Sequence, residues 1–311
     1  MPNEIAESFM RGYLTDHFMH KALLLADALR RGSDDLPPGM FDGADPKKWE
    51  LSLKLDLRAT HFQAIEALFQ LVRALYPRDP GGHVDFDMGQ IRDDDLWLNL
   101  SRRKLDDTAK HVREIGKGGE LPFDRWHVGA EGADTGVPFL RHVFYYGIPV
   151  DEETERSLPV IRDALVTLAK EFNDRGEYNA YKHGMRIVPT VGRFEFWSEE
   201  DPGRRATYDL QHSATYLDPY DPDGTAHVTR PLDSERDLRM IEVCHALVSN
   251  VVRSRRRHIP GLGHQPIYVL STEKLAAAER RSGQLARLTW LERDGVRHAI
   301  RISYYVHPAD T

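Results

Sequence analysis

The sequence predicts an α+β chain, mainly α: a helical bundle with an inserted β-hairpin and a C-terminal β-hairpin. Three observations predict it. Apolar residues recur at three-four spacing over long segments, as in Leu158, Ile161, Leu165, Leu168 and Phe172, which is the period of one buried helical face. After Gly184 the period falls to two, the alternation of a half-buried strand. Near the end, Asp294-Gly295 separates two alternating runs, a strong hairpin signal.

Taken in order, residues 4–31 read as one long helix. Ile5, Phe9, Tyr13, Phe18, Leu25 and Leu29 recur at helical spacing, and Gly32 closes it. Residues 33–49 are a polar loop around Pro37-Pro38-Gly39. The segment Leu51 to Tyr76 is apolar nearly all round, through Phe62, Ile65, Leu68, Phe69, Leu71, Val72 and Leu75. Such a helix belongs at the centre of a bundle, and Pro77 stops it. A second loop, 77–95, carries Asp93-Asp94-Asp95. Residues 96–116 read as helix, and 117–149 as an ordered connection with short helices.

A helix then runs from Asp151 or Leu158 to His183, with Pro159 in its first turn. The run Arg186 to Trp197 reads as a strand bent at Pro189 or Gly192. Ala206 to Leu217 is its hairpin partner, and a short strand follows around Ala226-His227-Val228. Ser234 to His258 is helical, with Leu238, Ile241, Val243, Leu247, Val251 and Val252 inward. The tail reads as a strand (Pro266 to Leu270), a short helix (Glu273 to Arg281) and the final hairpin, Leu285 to Glu292 with Val296 to Val306. Long helices flank 186–230, so the expected organisation is a helical domain over 1–258 with 186–230 inserted. A small α+β extension over 259–311 packs on it.

Bulk properties narrow the class. With 41% hydrophobic and 29% charged residues, the 311-residue chain has what a water-exposed globular fold needs. The single cysteine, Cys244, allows no intramolecular disulfide and fits a reducing compartment. The N-terminus has no basic region followed by an apolar run, and no stretch suits a membrane span. A cytoplasmic protein with no membrane partner is expected. The net charge of −7 does not draw the whole molecule to nucleic acid. The one dense basic run, Arg253-Ser254-Arg255-Arg256-Arg257-His258, reads either as a phosphate-tracking patch or as a solvated helix end favoured by the dipole.

The chemistry-bearing stretch is Arg175-Gly176-Glu177-Tyr178-Asn179-Ala180-Tyr181-Lys182-His183-Gly184. Continuing the stripe of Leu158 to Phe172 brings Arg175, Asn179 and Lys182 onto the same face, with His183 beside them. On one helix Asn179, Lys182 and His183 meet at one spot. His183 then suits general acid/base work, Lys182 a phosphate and Asn179 an orienting role. The alternative is a helix end: cations in the last turn and Gly184 as cap.

The order of a long helix, Asn179-x-x-Lys182-His183-Gly184, a hairpin and another long helix resembles bacterial helical proteins of the HEPN group (higher eukaryotes and prokaryotes nucleotide-binding). The helix Thr60-His61-Phe62-Gln63-Ala64-Ile65-Glu66-Ala67-Leu68-Phe69 is similar to helices of uncharacterised bacterial families with this layout. The resemblance spans 1–258. It implies a protein that binds RNA or a nucleotide and forms a homo-oligomer, often a dimer. Active members are metal-independent endoribonucleases whose motif is Arg, four to six residues, then His. Arg175 and His183 have seven residues between them and depart from that motif. The permitted spacing occurs on expected helices at Arg11/His17, Arg239/His245 and Arg253/His258. Arg239 and His245 form the reserve pair, because their helix would pack in the bundle. The other reading is a non-enzymatic, oligomerising or partner-binding helical protein.

Cofactor and metal readings draw little support. Glu242-x-x-His245 is half of a carboxylate-bridged di-iron motif, and that centre needs a second such pair. No phosphate-cradling glycine loop, Gly-x-Ser-x-Gly or His-Glu-x-x-His stretch is present. The expectation is therefore no cofactor and no metal.

Overall fold

The described chain opens with three helices, α1 (Glu4–Gly12), α2 (His17–Arg31) and α3 (Pro46–Ala74). Next come α4 (Leu96–Ser101), α5 (Leu105–Gly116), β1 (His127–Val128), β2 (Val137–Pro138) and α6 (Phe139–Phe144). Two more helices, α7 (Glu152–Asn173) and α8 (Gly176–Lys182), precede β3 (Ile187–Pro189), β4 (Arg193–Trp197), β5 (Arg205–Asp209), β6 (Ser213–Asp218) and β7 (Thr225–Pro231). The end holds α9 (Ser234–Arg256), α10 (Thr272–Glu279), β8 (Leu285–Arg293) and β9 (Val296–Tyr304). The structure is a computed structural model. It describes residues 4–32, 46–77, 96–101, 105–121, 123–128, 136–182, 186–190, 192–197, 205–218, 221–222, 224–283, 285–293 and 296–304. The fold is α+β and mainly α.

The chain divides into two units. The first comprises Met1–His20, His61–Asp174 and Arg239–Glu279, and the second Lys21–Thr60, Arg175–Leu238 and Arg280–Thr311. None of the points where the chain passes between them lies at 258. The expected C-terminal extension is split between them, α10 going to the first unit and the β8–β9 hairpin to the second.

The first unit is helical. Its core holds Phe62, Ile65, Leu68, Phe69, Leu71 and Val72 of α3 and Leu75 just past its end, all buried. Burying each such side chain stabilises by about 1.5–3 kcal/mol. The α7 stripe Ile161, Leu165, Leu168 and Phe172 is buried, as are Ile241, Cys244, Leu247, Val251 and Val252 of α9. Helix α7 starts earlier than its apolar stripe, at a capping box. Asp151 accepts from Thr154 N at 2.7 Å, and Thr154 Oγ1 accepts from Asp151 N. Pro159 therefore sits in the helix interior, on the exposed face. Water can take the carbonyl that it leaves without a helical donor. Helices α5 and α7 approach closely at Gly116, where an added Cβ would fall 2.4 Å from Asn173 Nδ2.

Two expected helices are interrupted. The 4–31 segment breaks between Gly12 and His17. Thr15 and Asp16 lie in the break, and both residue types compete with a helix by bonding locally; here Thr15 Oγ1 donates to Asp16 Oδ1 at 3.2 Å. The 151–183 segment breaks at Asp174, whose N–H turns back to the carbonyls of Glu171 and Lys170. Within 96–116 the structure describes α4 and α5, with 102–104 outside the described residues.

The second unit is built on a five-stranded antiparallel sheet in the order β3-β6-β7-β8-β9. The expected strand over 186–197 is two strands. β3 pairs β6, while β4 pairs β5 in a separate ribbon, so the hairpin is divided between Pro189 and Arg193. The C-terminal hairpin joins the same sheet through β8 on β7. Alternation puts Ile187, Ala214, Tyr216, Ala226, Val228 and Leu291 on one face, where Ala180 of α8 and Leu51 of α3 complete a cluster. Leu288 on the other face packs with Leu210 and Leu285. Among the described residues, Pro266 to Leu270, expected as a strand, has no ladder partner and runs as an irregular segment.

Candidate functional site

The break at Asp174 decides where the organising stretch points. Because α8 restarts at Gly176, the α7 stripe does not run on through it. Its buried residues are Glu177, Tyr178 and Ala180, whereas Asn179 and Lys182 are exposed. Lys182 Nζ sits 5.6 Å over the Tyr178 ring, and His183 lies outside the described residues. The face expected to gather Asn179 and Lys182 inward is turned outward.

What α8 buries is a carboxylate. Arg58 of α3 donates through Nε to Glu177 Oε1 at 2.7 Å and through a terminal nitrogen to Asp237 Oδ1 of α9 at 2.5 Å. Arg230 of β7 places Nε 3.4 Å from Glu177 Oε2. Two guanidinium groups and two carboxylates from four elements balance inside the second unit. Charges of both signs so enclosed and paired hold the elements of this unit together. Glu177 was visible in the sequence as an acid sharing the face of Ala180 and Tyr181 at three-four spacing. Its partners were not visible, since Arg58 and Asp237 are distant in the chain.

In the first unit a different cluster forms around His245. His245 Nδ1 lies 3.3 Å from the Thr15 carbonyl and 3.4 Å from Ser249 Oγ. Nε2 lies 3.4 Å from the Tyr268 hydroxyl and 3.7 Å from Asp16 Oδ1. Arg253, two turns along α9, reaches the same Asp16 oxygen at 3.3 Å and stacks over the Tyr268 ring at 5.1 Å. The Thr15 carbonyl calls for the proton on Nδ1, which leaves Nε2 as the basic nitrogen. An imidazolium formed at Nε2 faces the Asp16 carboxylate. The His245 and Arg253 side chains are mostly enclosed, while Asp16 keeps 44% of its side-chain exposure and Tyr268 37%. The cluster therefore opens on its Asp16–Tyr268 side.

Arg239 is not among the partners of His245. The two lie six positions apart on α9, which turns them about 120° from one another. The arginine that His245 meets is Arg253, through Asp16. Arg11 and His17 lie on different helices, and His258 lies beyond the end of α9.

The middle of the basic run is neither a solvated end nor an open patch. Arg255 and Arg256 are buried. Arg256 donates to the carbonyls of Met10 at 2.6 Å and Tyr13 at 2.7 Å. Arg255 donates to Val143 O at 2.8 Å and His142 O at 3.3 Å, and its guanidinium lies 5.0 Å over Tyr146. These carbonyls lie at the ends of α1 and α6, where a helix has no N–H donors left for its last carbonyls and carries partial negative charge. Burial pulls the Arg256 guanidinium below its ordinary range.

Glu242 is exposed beside His245. Among the described residues no three His, Cys, Asp or Glu side chains converge as a metal-ligand set. Cys244 is sealed, and burial pushes its thiol up, with Glu171 adding to the effect. A thiol so placed is inert. Among the described residues no helix is long and apolar enough to cross a membrane. Comparison with known proteins brings no match: no family model, no curated protein and no solved structure aligns with the chain.

Proposed function

We propose that the protein binds RNA and cleaves it as a metal-independent, HEPN-like endoribonuclease at the His245 cluster. The observation that supports the reading is the grouping of an imidazole, a guanidinium and a carboxylate: His245 Nε2 is 3.7 Å and Arg253 3.3 Å from one oxygen of Asp16. Transesterification of RNA needs these groups. His245 Nε2 takes the proton of a 2′-hydroxyl, and the 2′-oxygen attacks the neighbouring phosphorus. Arg253 turns from Asp16 to the phosphate and balances the charge that grows there. The P–O5′ bond breaks and the proton held on His245 passes on to the 5′-oxygen, leaving a 2′,3′-cyclic phosphate and a 5′-hydroxyl. Asp16 stabilises the imidazolium.

The test is RNA cleavage by purified full-length protein in chelator, compared with His245→Ala and Arg253→Ala. Loss of about 100-fold or more on removing His245 is the expected outcome. Equal activity in all three proteins sinks the assignment, and His183→Ala tests the expectation drawn from the Asn179-x-x-Lys182-His183 stretch in the same assay.

A second reading, a non-enzymatic helical module, is favoured by one observation. The same contacts tie the turn between α1 and α2, through Thr15 and Asp16, to α9 and to the 263–270 segment. In that case His245→Ala lowers the melting temperature and no RNA shifts the melt.

A further inference from the structure

Tyr268 lies on a segment without ladder partners among the described residues, yet its backbone is gripped by buried groups. Asn250 of α9, 1% exposed, donates Nδ2–H to the Tyr268 carbonyl at 2.6 Å and accepts the Tyr268 N–H on Oδ1 at 2.8 Å. Tyr145, equally buried, gives its hydroxyl to the same carbonyl at 3.3 Å and pairs with Ser157 at 2.5 Å. An irregular segment needs its peptide groups satisfied; Arg257 and Arg253 take the carbonyls of Gln265 at 3.2 Å and Pro266 at 3.5 Å, but at Tyr268 both the N–H and the carbonyl are held by buried side chains. That residue's phenol points at His245 Nε2 from 3.4 Å, with the ring under Arg253.

We infer that Tyr268 is the second proton-carrying group of the His245 site and that Asn250 is its positioning residue. The inference rests on the phosphodiester reading above. In the reaction, the departing 5′-oxygen takes the Tyr268 proton as the P–O5′ bond breaks. The phenolate then takes from His245 Nε2 the proton that came from the 2′-hydroxyl. One proton passes from 2′-oxygen to 5′-oxygen, and every protein group returns to its starting state. Asn250 touches no reacting atom. It acts by fixing two bonds of the Tyr268 peptide, which sets the direction of the ring.

The experiment has two arms on the full chain. In the first, long-range proton–nitrogen correlation of ¹⁵N-histidine-labelled protein reads His245, assigned by its loss in His245→Gln. Wild type should show a proton on Nδ1 and a hydrogen-bonded Nε2. Tyr268→Phe and Asn250→Ala should each move Nε2 toward the value of a free lone pair, and the double variant should move it no further. In the second arm, RNA cleavage should fall roughly tenfold or more in kcat for Tyr268→Phe, with KM unchanged, and Asn250→Ala should reproduce this. Should Asn250→Ala not fold, Asn250→Asp replaces it; this keeps the acceptor for Tyr268 N–H and loses the donor. An Nε2 resonance that moves in Tyr268→Phe but not in the Asn250 variants overturns the positioning role. Cleavage unchanged in Tyr268→Phe while His245→Ala is dead overturns the proton-carrying role alone. A wild type that does not cleave RNA defeats the ribonuclease reading and the proton-carrying role with it, and the spectroscopic arm still decides the positioning.

Discussion

Arg58 Nε donates to Glu177 Oε1 at 2.7 Å, with the two side chains only 12% and 5% exposed. A pair this enclosed has given up most of its hydration, and each member is held by the other. Removing one leaves a buried charge without its counterion, which costs more than the intact pair contributes.

Glu177→Gln should therefore lower the unfolding free energy by about 3–5 kcal/mol. The change keeps size and shape and removes only the charge facing Arg58 and Arg230. Urea unfolding reads the difference. A loss below about 1 kcal/mol would mean that the pair is solvated in the protein and behaves as a surface ion pair.

Arg256→Ala tests the interior role of the basic run. It removes the donors to the Met10 and Tyr13 carbonyls, and unsatisfied buried acceptors cost about 1–3 kcal/mol each. A stability loss of about 3 kcal/mol is expected, with Arg256→Lys falling between the two because an ammonium lacks the fork that reaches both carbonyls. RNA affinity, measured as a function of salt, should keep its slope. A shallower slope would show that Arg256 contacts phosphate and is not committed to α1.

The α7 capping box makes stability depend on acid. The Thr154 N–H and then the Thr154 hydroxyl hold the Asp151 carboxyl below its ordinary range. A depressed folded value means that the contribution is complete above the unfolded carboxylate range, about pH 4, and is lost as pH falls through the folded value. Asp151→Asn keeps an acceptor and has no charge to lose. The melting-temperature gap between wild type and Asp151→Asn should narrow on going from about pH 6 to about pH 3. A gap that stays constant shows that the carboxylate is not held in the fold.

These features differ in how far the sequence exposed them. The stripes of α3, α7 and α9 and the β8–β9 hairpin are local, because three-four spacing and Asp294-Gly295 act within one element. The interruptions at Thr15-Asp16 and at Asp174 hang on single capping residues, and apolar periodicity runs over them. The break decides the site. A continuous helix would carry a buried face through Asn179 and Lys182; with the break at Asp174 they point outward and Glu177 points in. His245 was legible as a histidine on a packed helix. Asp16 and Tyr268 were not legible as its partners, because nothing local relates residues more than 20 positions apart. Arg255 and Arg256 were illegible for the same reason, since their partners are the ends of α6 and α1.

Gly176 shows the restart of α8 as a steric matter. A Cβ added there would fall 2.7 Å from the Tyr216 hydroxyl and 2.8 Å from its Cε2. Tyr216 is itself buried, 4% exposed, in the sheet cluster with Ile187 and Val228, so its ring cannot swing clear. The backbone of α8 has to retreat instead, and Glu177 follows it away from Arg58. Gly176→Ala should cost about 1–3 kcal/mol although alanine is the better helix former. The loss should shrink when Glu177→Gln is already present, because part of what the retreat disturbs is then absent. Strict additivity in urea unfolding would show that the steric contact and the ion pair are independent, and a neutral Gly176→Ala would show that α8 does not lie against Tyr216.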